Sequence, residues 1–399
     1  MEYSTISKDL TNSISKSEKK NNGIYFTPPS CVNRILNILE PYIKNMNNVL
    51  EPSCGSGEYI TELQRKFPNI CITGIELNPV IFESIKNFHI NLLNIDFLQY
   101  KSDKSYDLII GNPPFYVMKK EDIQKKYYDY FDGRPNIFIL FIIHSLELLN
   151  DNGILSFVLP KNFLNCLYYD KTRKYIKNNF QILHILDCTK DKYLETQQET
   201  IVLNIQKTKE INNSKFVLEN NEYTIFTHEE NQPIIRKLYE NSKSLWELGF
   251  KVNVGTVVWN QCKNNLTIDP TKTRLIYSSD IQNNKLNIKT YTNEDKKNYI
   301  NKPGITRPMI VINRGYGVGD YNFNFCLIDE SKEYLIENHL ICIEFRKKDI
   351  PYNELIGLYQ NILKSFNDER TTKFINIYFG NNAINTTELN HILPIYHDI

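Results

Sequence analysis

The chain has 399 residues, 41% of them hydrophobic and 23% charged. That is long enough for two domains and for a core that needs no disulfide or metal staple, and it excludes a disordered chain. The 47 Lys and Arg against 46 Asp and Glu leave a net charge of +1, which by itself argues neither for nor against nucleic acid. The longest purely apolar run, residues 137–143, falls far short of the ~20 residues that span a bilayer, so no membrane partner is expected. The eight Cys are scattered, with no CxxC and no His at zinc spacing. Reduced thiols, no metal and a cytoplasmic or other intracellular location follow as expectations.

In chain order, residues 1–22 are polar, carry no secretory signal, and read as a flexible arm too short for a fused nuclease. Strand-length apolar runs follow at 49–50, 71–77, 92–97, 106–110, 153–159, 182–187 and 200–205. Amphipathic segments at 59–67, 80–88, 137–149 and 169–178 separate most of them. Strands alternating with helices predict an α/β domain, residues 23–230, with a parallel sheet covered on both faces. Ligands of such sheets bind outside the carboxyl ends of the strands, so the chemistry is sought just after each one. Beyond about residue 210 short runs are broken by Asn, Asp, Gly and Lys, with a helical segment at 353–366. Residues 231–399 therefore read as a separate β-rich (α+β) domain. Residues 251–314 carry eleven Lys and Arg against four Asp and Glu, a candidate phosphate-binding footprint or a solvated face.

The first strand runs into Glu51-Pro52-Ser53-Cys54-Gly55-Ser56-Gly57, a turn of small residues that lets a ligand approach the backbone. The third glycine of a dinucleotide loop is missing, and Glu51 would be awkward beside a pyrophosphate but suits a cationic amino-acid moiety. Glu76, followed by Leu77, stands roughly 20 residues on, where an acid meets ribose hydroxyls. Asp96 is placed to accept from an adenine amino group while Phe97 covers the ring. Together these residues favour S-adenosylmethionine, a nucleoside cofactor without phosphates, with Ser53, Gly55 and Gly57 shaping the loop.

The most specific feature is Asn112-Pro113-Pro114-Phe115 at the end of the fourth strand. The lone pair of an exocyclic amine is delocalised into its ring. Acceptors on both N–H bonds, the Asn112 side-chain oxygen and the Pro113 carbonyl, would draw the nitrogen toward tetrahedral geometry and aim its lone pair at a methyl donor. Phe115 offers a face for the base to stack on.

In this order the motifs resemble the gamma-class N6-adenine DNA methyltransferases, typified by the Taq-type enzymes of restriction–modification systems. Tyr25-Phe26-Thr27-Pro28-Pro29 is similar to the N-terminal cofactor motif of that class, which implies that Tyr25 and Thr27 bind the cofactor, Thr27 at the methionine end. Residues 133–138 and 153–160 resemble the motifs after the catalytic turn, and Tyr193, seven residues before Thr200, the aromatic residue that stacks on the other face of the target base. Residues 254–260 resemble the opening of the specificity domain, except that Trp259-Asn260 replaces the usual Thr-Gly. The resemblance implies a Rossmann-like S-adenosylmethionine-dependent domain followed by a DNA-recognition domain. The partner would be double-stranded DNA, gripped between the two, with a separate restriction endonuclease possible and a monomer expected.

Because the target amine is buried in a duplex, the adenosine would have to be flipped out, between Phe115 and Tyr193. Lys119 and Lys120, in a loop with four Lys at 119–126, and Arg173 with Lys174 and Lys177 are candidates for phosphate contacts. Trp259, Gln261, Lys263, Arg274, Arg307, Arg314 and Tyr316 are candidates for reading the sequence, since Arg pairs with guanine and Gln with adenine. Three alternatives stay open: an RNA substrate, a protein glutamine amide, and an inactive fold that binds DNA only.

Overall fold

The computed structural model describes residues 2–398 except 221, 292, 294, 315–322 and 380–383. The chain forms two compact units, Met1–Gln232 and Pro233–Ile399.

The first 22 residues are not an arm. They form helices α1 (Thr5–Ser13) and α2 (Lys16–Asn22). The Ser4 and Ser15 hydroxyls cap them by accepting from the Ser7 and Glu18 N–H, and Gly23 ends α2 at φ +65°. Helices this short are marginal alone; Leu10 and Ile14, four residues apart, are buried in a cluster with Phe26 and Ile81 that holds them.

Helix α3 (Pro29–Ile43) leads into the sheet. Its strands are β1 (Asn48–Glu51), β2 (Cys71–Ile75), β3 (Asn91–Leu93), β4 (Tyr106–Gly111), β5 (Leu149–Pro160), β6 (Gln181–Asp187) and β7 (Thr200–Gln206). They lie in the order β3-β2-β1-β4-β5-β7-β6. Helices α4 (Glu58–Lys66), α5 (Pro79–Ile85), α6 (Ile137–Glu147) and α7 (Asp170–Asn179) make the crossovers. The sheet is mixed rather than wholly parallel, because β7 runs antiparallel to both β5 and β6. The reason lies in the connection: residues 188–199 contain no helix, and without a crossover helix the next strand returns antiparallel. Helix α6 is buried on every side from Ile137 to Leu146, which explains its apolar run from Ile137 to Ile143. Each such side chain contributes roughly 1.5–3 kcal/mol by leaving water. A hairpin, β8 (Val217–Asn220) with β9 (Tyr223–Phe226), closes the unit.

In the second unit, strands Phe250–Val254, Leu340–Phe345, Met309–Asn313 and Phe325–Ile328 pair antiparallel in that order. A second four-stranded sheet contains Thr273–Ile276 beside Tyr334–Ile336. Helices Tyr352–Asn367, Glu369–Tyr378 and Thr386–His391 follow. The helical segment expected at 353–366 is the first of these three.

Candidate active site

The turn after β1 is built around Gly57, which caps α4 at φ +77°. A Cβ there would lie 2.0 Å from the ring of Phe88, so both backbone angle and space require glycine. Glu51 is 1% exposed, and its Oε2 has no hydrogen-bond partner. Burial pushes its carboxyl well above the usual range, with Glu76 and Glu58 adding like charge. Burial also raises Glu76, opposed by N–H groups that donate to it: Gly55 to Oε2 and Asn78 to Oε1, each at 2.8 Å. Three acids with raised or shared charge and one orphaned oxygen suit a cationic ligand.

These residues open onto a cavity of about 360 Å³, within the range of small-molecule sites. Of the predicted cofactor residues, Tyr25, Thr27, Glu51, Ser53, Gly55, Glu76, Leu77, Asp96, Phe97 and Asn112 all line it. Gly57 does not; it shapes the loop. Asp96 uses one oxygen to accept from Leu98 N–H at 2.9 Å. Phe97, 2% exposed, forms a fixed wall against Phe141 and His144, with ring centroids 4.9 and 4.8 Å away. Leu77, 63% exposed, is an apolar side chain left at the rim. The acids, the apolar walls and the lack of a phosphate cradle fit S-adenosylmethionine.

The catalytic turn lies on the same wall. The Asn112 Nδ2 donates to the Tyr25 carbonyl at 2.8 Å, which only the nitrogen of the amide can do, so the amide orientation is fixed. Its Oδ1 is buried and has no partner. Ser53 Oγ donates to the Asn112 carbonyl at 3.0 Å and ties the turn to the glycine loop. Pro114 and Tyr116 face the cavity; Pro113 is buried and Phe115 packs edge-on to Phe138 at 5.7 Å.

Not every expected residue comes to the site. Tyr193 meets Thr11, Lys19, Ile24, Tyr25 and Phe26 in a separate small pocket, with its hydroxyl accepting from Thr200 Oγ1 at 3.4 Å. It is held there because its loop is tied to the N-terminal helices through Lys19–Glu195 and Tyr3–Lys192.

Arg173 is no phosphate contact. It is 0% exposed and donates to the carbonyls of Thr224, Phe163 and Cys166, because its position in α7 faces the core together with Thr172 and Ile176. Lys174 pairs with Asp170 at 2.7 Å and Lys177 with Glu219. Lys119 and Lys120 are exposed, Lys120 lying over the Tyr128 ring.

In the second unit Gln261, Lys263 and Arg314 are exposed, with Lys263 paired to Asp295. Trp259 packs on the cluster around Val257 and Tyr277, Arg274 lies over Tyr299, and Arg307 donates to the Lys347 carbonyl. Tyr316 lies outside the described residues.

Sequence reading missed Glu58 and the N-terminal helices. The Glu58 carboxylate accepts from Ser4 and Ser7, so α1 is bonded to the glycine loop. The signals were the Ser15-Glu18 capping pair, the Ile6-Leu10-Ile14 spacing and the terminal Gly23. The scattered cysteines also converge in part. Cys31 and Cys188 lie Sγ to Sγ at 3.3 Å with Asp191 beside them, its carboxylate engaged by Arg34 and Ser30.

The strand order, the reversed β7 and the acid-lined cavity define a Rossmann-like S-adenosylmethionine-dependent methyltransferase domain. Residues 41–194 match the family described as Eco57I restriction-modification methylase. Over 96% of both chains this protein is 27% identical to Type II methyltransferase M.CvrRI of Paramecium bursaria Chlorella virus XZ-6E. Over 99% of both it is 25% identical to Modification methylase CviBIII of Paramecium bursaria Chlorella virus NC1A. A solved class I S-adenosylmethionine-dependent methyltransferase of Listeria monocytogenes aligns at TM-score 0.44 and 20% identity, over 52% of this chain and 68% of that one. Over nearly its whole length the chain is thus similar to methyltransferases of the restriction–modification type. Among the described residues no helix is long and apolar enough to cross a membrane.

Proposed function

We propose that the protein methylates N6 of adenine at a defined site in double-stranded DNA. The observation that carries the reading is Asn112: an amide held by Tyr25, with a buried oxygen that has no partner, on the wall of the cofactor cavity. A buried acceptor without a donor costs about 1–3 kcal/mol, a cost that an incoming N–H group relieves. Restriction–modification relatives make DNA the substrate class that fits.

When bound, S-adenosylmethionine supplies the electrophilic methyl group. Glu51 neutralises the cationic methionine end, Glu76 holds the ribose hydroxyls and Asp96 the adenine amino group. Asn112 Oδ1 accepts one hydrogen of the target amine and the Pro113 carbonyl the other, which leaves the lone pair free for in-line attack. No strong base is needed, because the methylated nitrogen is acidic and loses its proton to solvent. Reaching a paired base requires flipping it out, at a cost of a few kcal/mol. Stacking on Phe115 returns ~1–3 kcal/mol. Tyr193 serves as the second stacking face only after its loop turns away from the N-terminal helices. In the second unit the exposed Gln261, Lys263 and Arg314 are the side chains we assign to base and phosphate contacts.

The test is incubation with unmethylated genomic DNA and labelled S-adenosylmethionine, followed by single-molecule mapping of modified bases. N6-methyladenine at one short motif is expected. Label in RNA or in a protein amide would replace DNA as the substrate, and no transfer at all would leave a DNA-binding fold without activity.

A further inference from the structure

We propose that the N-terminal helix pair is the positioning element of Asn112, and that the buried Lys19 is the residue that sets it. The inference rests on the role given to Asn112 above and extends it to a segment outside the cofactor motifs.

Lys19 is 4% exposed, yet its sequence neighbours are polar and mostly solvated. Its Nζ donates to the Thr11 carbonyl at 2.7 Å and pairs with Glu195, joining α1, α2 and the loop 188–199. Only the lysine end of the pair is buried, Glu195 staying in reach of water, so the pair adds little net stability and its role is to hold the three segments together. The arrangement here leads to the catalytic turn. The Lys19 carbonyl accepts from both Gly23 and Ile24 N–H, which fixes the left-handed turn at the end of α2. Gly23 is pressed against the turn: a Cβ there would lie 2.6 Å from the Phe115 nitrogen and 3.1 Å from Pro114 Cβ. Two residues on, the Tyr25 carbonyl receives Asn112 Nδ2. Seven consecutive residues, 19–25, and one hydrogen bond thus lead from the buried lysine to the amide, and the path is braced at Gly23 by the very turn it orients. A second tie, from Ser4 and Ser7 to Glu58, keeps α1 on the glycine loop. Loss of the Lys19 pair would free Tyr25 and let the amide rotate, so that Oδ1 no longer meets the amine.

The test compares Lys19→Met, Lys19→Arg and Glu195→Gln with the wild type in two assays. One is single-turnover transfer at saturating cofactor and DNA, with cofactor affinity measured separately. The other is hydrogen exchange of the Asn112 side-chain amide, assigned by its loss in Asn112→Asp, which needs no turnover. Lys19→Met is expected to slow transfer roughly ten- to a hundredfold, to change cofactor affinity by less than about threefold and to speed exchange of the Asn112 amide. Lys19→Arg should restore most of both, and Glu195→Gln, which keeps an acceptor oxygen, should fall between and serves if Lys19→Met does not fold. Unchanged exchange in Lys19→Met and Glu195→Gln overturns the proposal, as do equal losses of affinity and rate with the amide undisturbed. If the wild type transfers nothing to DNA, the adenine reading fails, and the exchange experiment still decides the positioning role.

Discussion

In the first unit the polar side chains that matter are buried or half-buried and their geometry is dictated by backbone; in the second the candidates for recognition are exposed or stacked on neighbours. Glu51, Glu76, Asp96 and Asn112 all sit at or just after the carboxyl ends of strands of one sheet, so the strand order β3-β2-β1-β4 sets them along the cavity as Asp96, Glu76, Glu51 and Asn112. Gln261 and Lys263 lie in short 3-10 turns and Arg314 follows a strand, and nothing in the backbone obliges those positions to carry those residues. Chemistry placed at strand ends is written into the fold, whereas recognition placed on a surface is written only in side chains.

That contrast breaks most visibly at Asn112. Asn112→Ala should lower single-turnover transfer by on the order of 10²–10³ while leaving cofactor affinity nearly intact; equal loss of both would remove Asn112 from the chemistry. Arg173→Ala tests the reverse case, a cation with the look of a DNA contact in a structural post. Its loss takes a donor from the Thr224, Phe163 and Cys166 carbonyls, although Cys166 keeps the Tyr169 N–H and Asp170 keeps Lys174, and unfolding in urea should show a cost of about 3 kcal/mol. Unchanged stability would show that the core tolerates its absence.

A pH titration sharpens the comparison further. Burial raises Glu51 and Glu76 in the free protein, and a cationic ligand favours the ionised forms. Binding therefore releases protons, and cofactor affinity should climb as pH rises through the raised carboxyl range. The slope is at most about tenfold per pH unit for each acid, and it levels off once the acids ionise unaided. Glu51→Gln should flatten that slope in calorimetry; a slope unchanged by the substitution would separate Glu51 from the cation. The smallest effect belongs to the second unit. Arg314→Ala should weaken DNA binding and lower the slope of log affinity against log salt by about one if it meets a phosphate. An unaltered slope would place it away from the backbone.

The strands after which the chemistry sits were legible in the sequence because apolar runs of fixed length and a Pro-Pro turn survive any choice of surface residues. The cavity acids could be named for the same reason. The reversed β7 was hidden, since nothing in 182–187 and 200–205 states a direction; only the lack of a helix between them does. The N-terminal helices were hidden by polarity. Their anchoring comes from Leu10 and Ile14 finding Phe26 and Ile81, which are distant in sequence. Arg173 was misread because charge predicts exposure on average, and only the register of α7 with Thr172 and Ile176 reveals which way it points. The Tyr193 loop followed the family pattern in spacing, but its present neighbours are set by Lys19, far away in the chain.

The ring of Phe88 fills the space beside Gly57 and ties two positions 31 residues apart into one unit of inheritance. A descendant that acquires a side chain at 57 first meets a filled wall, and even after 88 shrinks, the left-handed backbone still costs roughly 1 kcal/mol. The reverse order, a smaller residue at 88 first, opens a void but remains viable. Drift through this pair is therefore easier in one sequence of steps than in the other, and an aromatic ring kept at 88 adds to the cost of any side chain at 57.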